Sequence, residues 1–506
     1  MAAIGTVIVL AGLSAGCAIE PDMLTETEIS ARISGDVAVM WAEQEPIAAP
    51  IDLYTAVARG LKYNLDKRLK DMESALASRA LEQSGTRLLP EVVASAGYRG
   101  RDDYRGSSSR SLITGRQSLE VSTSEDKHLR TADLQMVWNL LDFGLTYLRA
   151  REDADQVLIA EERRIKVAQN IILDIRDAWW RAVAAERMLP GLGRLISEIE
   201  RAVGRSAAVV ASGSGEPSDE LKLQRLLLET LRDLKEVRRR LSLARSELAA
   251  LMNVAPGTDF MIAMPAMRRL TVPQVAASIE DLEMAALAGR PELREEDLKK
   301  RISLTEVRAA YVRLLPGIEL RLGTNYDSNS FLYEPTWQNA AGLLTKNLME
   351  IATAGSSIGF AEQGVVVADA RRQSLSMAVI AQLHLSLERL ALATDVYRSA
   401  ERLYDVDRRL ADVAAHGSET TAGSAAEALT ALSRKAVSEL QYYSAYADLQ
   451  NAYGRVLNSV GAHRLSADIE SLDVASLAAE LRPILDEWRP PSEMSALASI
   501  DAEGAQ

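Results

Sequence analysis

The sequence predicts a mainly α-helical chain with a small β part, built as two copies of one unit. Three observations predict this. "RLLPEVVASAGY" (87–98) and "RLLPGIELRLGTNY" (313–326) are the same junction, 226 positions apart. "TADLQMVWNLLD" (131–142) alternates apolar and polar residues. Leu227, Leu234, Leu241 and Leu248 recur every seven residues, with Val237, Ala244 and Leu251 as a second column. Pro cannot continue a helix and pushes the residue before it to an extended conformation, so each "LLP" hands a helix over to a strand. A period of two is a strand with one apolar face. A period of seven is a seam for side-by-side helix packing.

Composition excludes several classes. The chain has 506 residues, a net charge of -13 and 5% aromatic residues, with four Phe and one Cys. Abundant Ala, Leu and Arg suit long helices more than a thick globular core. The acidic balance argues against nucleic acid. His128, His384, His416 and His463 are scattered without metal-ligand spacing. No P-loop, GxGxxG, HExxH or GxSxG occurs. Neither catalysis, a metal nor a cofactor is expected.

The elements follow in order. Residues 1–16 read as a signal peptide, because the apolar run in "IGTVIVLAGLSAGCAIE" is too short to span a membrane. "SAGC" resembles a bacterial lipobox, which makes Cys17 the lipidation site. Ser14 replaces the usual Leu, and no Lys or Arg precedes the run, so the true start is expected upstream. Past residue 20 no apolar run reaches 18 residues, so no transmembrane helix is expected. Residues 17–50 read as an extended lead-in.

Repeat one covers 51–255. It holds a helix from Leu53 to Arg87, a strand after Pro90, and a Gly/Ser-rich loop. The strand at 131–142 comes next, with Ala132, Leu134, Met136, Trp138 and Leu140 on one side. A helix from about Tyr147 follows, expected to break at "LPGLG" near Pro190 and to turn at 211–220 into the sevenfold helix. A linker spans 256–276. Repeat two covers 277–462 in the same order, with Ile318, Leu320 and Leu322 on the apolar side of its strand. Its hairpin turns at 415–426. Residues 463–506 read as an extension with a disordered end.

The copies superpose by arithmetic. Pro90 and Pro316 differ by 226, Asn139 and Asn347 by 208, Asn253 and Asn458 by 205. Copy one is therefore 18 residues longer between its strands but only 3 longer across its hairpin. Long elements that must end at a common level keep their length, while loops vary. The offset puts Lys346 where Trp138 stands, so the second return strand is expected to end earlier.

This ordered pattern resembles the TolC family of outer-membrane efflux channels over roughly residues 51–462. The matching stretches are "YNLDKRLKDMESALA", both "LLP" junctions, "VWNLLDFG" and "RPEL". Asn64 and Arg290 share the offset of 226. The resemblance implies a homotrimer whose four strands per chain form a twelve-stranded β-barrel in the outer membrane, continued by a long α-helical barrel across the periplasm. It implies a passive exit duct for tripartite efflux or type I secretion, of the lipoprotein type. The implied partners are a periplasmic adaptor (membrane fusion) protein and an inner-membrane RND or ABC transporter. Ala18 after the Cys, where Asp would signal inner-membrane retention, fits an outer-membrane lipoprotein.

Physical reasoning reaches the closed assembly separately. A four-stranded open sheet in lipid leaves edge N–H and C=O groups unpaired, at several kcal/mol each. Eight strands fill their own lumen, whereas twelve leave a passage. A helix of about 55 residues spans on the order of 80 Å and cannot bury its seam in a compact ball. Leu134, Met136, Trp138, Ile318 and Leu320 are the lipid-facing candidates, with Trp138 in an aromatic belt. Asp219, Glu220, Glu419 and Glu427 are candidates at the periplasmic tip, as helix caps or as an acidic ring. A different class remains open at this stage: a non-channel periplasmic coiled-coil scaffolding lipoprotein.

Overall fold

A computed structural model describes residues 23–42, 44–118, 120–213, 217–265, 270–417, 422–466 and 470–486. Cys17 and Glu419 lie outside the described residues. The first element corrects the extended lead-in. Helix α1 spans Glu26–Met40, opened by a reciprocal cap in which Glu28 N donates to Thr25 Oγ1 (3.2 Å) and Thr25 N donates to Glu28 Oε2 (2.8 Å). None of its residues is buried.

The repeat is carried by helices of matched length. α2 (Leu53–Tyr63) and α3 (Leu65–Thr86) have 11 and 22 residues. α6 (Ile279–Gly289) and α7 (Pro291–Val312) also have 11 and 22. The single helix expected from Leu53 to Arg87 is thus two. Asn64 ends α2 at φ -63°, ψ 128°, and its side chain accepts from Asp66 N and Lys67 N to start α3. Arg290 holds the same bend at φ -68°, ψ 124°, followed by Pro at the first helical position.

The strands are β1 (Glu91–Gly100), β2 (His128–Asn139), β3 (Gly317–Asp327) and β4 (Thr336–Thr345). They form one antiparallel sheet in the order β1-β2-β3-β4. Leu140 is not a strand residue. The Asn139 side chain accepts from Leu141 N and Asp142 N, so the chain turns helical there. β4 stops before Lys346, whose ammonium donates to Arg313 O (2.6 Å) and pairs with Glu350 (2.9 Å). The connection between β1 and β2 is 101–127, against 328–335 between β3 and β4.

Two hairpins follow: α4 (Leu140–Ser212) with α5 (Pro217–Leu251), and α8 (Leu348–Gly417) with α9 (Ala422–Ser459). α4 has 73 residues, about 110 Å at 1.5 Å per residue. The expected break at Pro190 does not occur. The missing N–H costs α4 one backbone bond, on the order of 3 kcal/mol. Met188, Leu192 and Ile196 around it are buried, and their packing holds the helix together. The sevenfold column is buried as read: Leu227, Leu234 and Leu241 pack with α4 and with Leu440 and Tyr443 of α9, and Leu248 joins a second cluster with Ile175 and Trp179 of α4. Against the expectation of no such helix, a stretch of α8 is long and apolar enough on average to cross a membrane, although polar residues interrupt its apolar runs.

The helices line up in the order of the strands. Near the sheet they run α3-α4-α7-α8, and toward the hairpin turns α5-α4-α9-α8. Halfway down, three distant segments wrap the bundle. Ile51 bridges Ile262, Trp179 Nε1 donates to Ile51 O (3.2 Å), and α10 (Val474–Asp486) buries Leu477 and Leu481 against α2 and α4. Gly289 and Gly461 cross at this level. A Cβ on Gly461, already at φ +70°, would stand 2.4 Å from the Gly289 backbone.

Candidate functional site

Cross-strand register sorts the sheet into two faces. Val92, Met136, Leu322 and Ala340 form one row, and Ala94, Leu134, Thr324 and Gln338 the next. Trp138, Leu320 and Gly342 form a third, and Ile318 and Leu344 a fourth. Leu134, Met136, Trp138, Ile318 and Leu320 therefore share one apolar face. Leu134, Ile318 and Leu320 are exposed there. Trp138 meets Phe143 edge-on at 5.8 Å, at the end of the sheet nearest the helices.

The opposite face is mostly polar. It carries Glu91, Ser95, Asp133, Gln135, Glu319, Arg321, Asn325 and Asn339. Arg321 pairs with Glu319, and Arg99 with Glu125 (3.4 Å). Trp337 and Leu343 also stand on this face, which the sequence reading missed because it followed alternation on β2 and β3 only. Had β4 been read by period two, Trp337 would have fallen opposite Ala340 and Leu344.

The far end of the first hairpin is tied locally. Gly213 ends α4 in the left-handed conformation at φ 67°. Asp219 and Glu220 lie in the first turn of α5, where carboxylates oppose the positive helix end. Asp219 Oδ1 accepts from Lys222 Nζ (2.9 Å), and Glu220 Oε2 accepts from Ser206 Oγ (2.5 Å), which ties α5 to α4. Glu427 is exposed on α9. The charged stretch around Glu236 is a solvated face, where hydrogen bonds from Arg239 and Arg240 hold the Glu236 carboxyl down to about 2.

Mid-height contacts were invisible to local patterns. Lys67 Nζ lies 2.9 Å from both Asp71 and Glu470, and Arg164 pairs with Glu470 and Glu161. Arg464 pairs with Glu162 at 2.7 Å. These ion pairs fasten the C-terminal segment to α3 and α4.

An unclosed edge is the main feature left by a single chain. β1 and β4 border the sheet, and α8 borders the helices along its whole length. Leu392, Val396, Leu403, Val406, Leu410 and Val413 on α8 are spaced three, four and seven apart and are all exposed. The opposite border shows matching columns, Leu65, Leu69, Met72 and Leu76 on α3 and Leu221 and Leu228 on α5, also exposed.

No family model and no curated protein matches the chain. Solved structures do. The outer-membrane channel OprN matches at 15% identity and a TM-score of 0.61, over 88% of this chain and 99% of that one. The Neisseria gonorrhoeae MtrE outer membrane channel matches at 17% identity and 0.60, over 80% and 89%. The Campylobacter jejuni CmeC outer membrane channel matches at 13% identity and 0.60, over 93% and 97%. At these identities the likeness establishes the fold: two helix–strand repeats whose strands and long helical hairpins form one wall.

Proposed function

We propose that a chain with this outer-membrane-channel fold closes with two further copies into a passive exit duct across the outer membrane. The observation that carries the reading is the alignment of its open edges. β4, α8 and the exposed α8 column stand at one border, and β1, α3 and α5 with their own exposed columns at the other. Joining them removes unpaired strand edges and buries both sets of columns in a single step. The apolar face then meets lipid and the polar face water. Four strands per chain in three copies give a barrel wide enough for a passage.

The duct performs no chemistry. A periplasmic adaptor and an inner-membrane pump, of RND or ABC type, supply the energy. The hairpin ends reach farthest from the membrane, so the adaptor contacts them. Asp219 and Glu220 narrow that mouth and favour cations, so Asp219→Ala with Glu220→Ala should weaken cation preference in bilayer recordings. Unchanged selectivity would leave them as caps. Cys17 carries an acyl anchor, checked by palmitate labelling of the wild type against Cys17→Ser. The reading as a whole is tested by adding purified protein to a planar bilayer. Stepwise, long-lived conductance is expected. A protein that binds the membrane without conducting is a scaffold.

A further inference from the structure

One row across the wet face of the sheet joins Ser95, Asp133, Asn325 and Trp337. Trp337 is 43% exposed there, on an edge strand. An indole on this face has no lipid to enter. The Asp133 carboxylate stands two strands away, about 10 Å between backbones, and accepts from Ser95 Oγ at 3.2 Å. Of the two adjoining rows, Val93, Gln135, Gly323 and Asn339 are uncharged, and Gly97, Thr131 and Asp327 add only a further carboxylate. The arginines of this face are engaged elsewhere, Arg321 with Glu319 and Arg99 with Glu125.

We propose that Asp133 and Trp337 form a recognition ring for organic cations inside the barrel. The inference rests on the duct reading. In three copies, three carboxylates and three indoles sit at one level of the lumen. A quaternary ammonium ion is drawn both to a carboxylate and to an indole face, and it sheds water easily enough to touch the ring. A small inorganic cation keeps its hydration shell, and an organic anion is repelled. Substrates of the duct are therefore amphiphilic cations in preference to anions of the same shape.

Benzyltrimethylammonium and benzenesulfonate have similar shape and opposite charge. Each is added to full-length protein conducting KCl in a planar bilayer. Benzyltrimethylammonium should block at roughly tenfold lower concentration. Trp337→Leu keeps bulk but removes the π face, and should raise the blocking concentration roughly fivefold. Asp133→Asn should act in the same direction, and Trp337→Phe should keep most of the block. Conductance in KCl and trimer migration on a gel show that each variant assembles. Equal block by the two ions, or block unchanged in both Trp337→Leu and Asp133→Asn, overturns the ring while leaving the duct intact. A wild type that never conducts overturns the duct, and the ring with it.

Discussion

His463 stands at φ +64°, just past the end of α9, with Nδ1 sealed from solvent and no hydrogen-bond partner among the described residues. Burial, with Arg176 adding to it, pushes its pKa down to about 3. An unfolded chain binds that proton near 6.5. Below pH 6.5 the unfolded state therefore holds more protons, and stability falls as pH falls. Glu161, lowered by the Arg164 hydrogen bond, and Glu45, lowered by the Lys62 hydrogen bond, act with the same sign. Their contribution is present above the ordinary carboxylate range and is lost below about 4.5. His463→Asn keeps a residue that tolerates the left-handed backbone and removes only the upper window. It should gain on the order of 1–2 kcal/mol at pH 5 relative to pH 7.5, read from urea midpoints. An identical pH profile for variant and wild type would refute this. The burial of His463 was not legible in the sequence, because Arg176 comes from a segment hundreds of positions away. The offset shared by Asn64 and Arg290 was legible, but the bends were not, since each is a short break inside one helical pattern, set by the Asn64 side-chain cap in one copy and by Pro291 in the other.

Single elements divide in the same way. β2 and β3 could be read because one face is apolar and the other mostly polar, which writes a period of two, and α5 because its seam writes a period of seven. β4 was harder to read. It is an edge strand exposed along its whole length, so neither face imposes a strict pattern. The helix through Pro190 was misread because a local rule met packing from both flanks. The register of β2 makes a sharp prediction. In the proposed duct, Met136→Arg places charge against lipid and should cost about 2–4 kcal/mol and reduce trimer yield. Gln135→Arg, one residue along, then points to the wet side and should be tolerated. Equal loss from both, measured as trimer recovered from outer membranes, would mean that β2 has no lipid face. On α8, Leu403→Glu with Leu410→Glu should prevent assembly while helical circular dichroism stays unchanged. An assembly that survives both charges would place the seam elsewhere.

At the scale of the whole molecule, one chain is a strip of wall. Its sheet has two free edges, its helices keep the strand order, and its exposed apolar columns lie along both borders. The repeat was legible in the sequence from its offsets, and the four strands that leave two free edges were legible from their alternation and the LLP junctions. The mid-height wrapping by α10 and the linker was not, since it depends on contacts that only the folded strip creates. The central claim is that three strips close on themselves. The most direct measurement is the mass of the detergent-solubilised, bilayer-active particle by native mass spectrometry. The account predicts a single species at three times the mass of the mature chain, with the full chain at 55.1 kDa. An active particle containing one or two chains would contradict it.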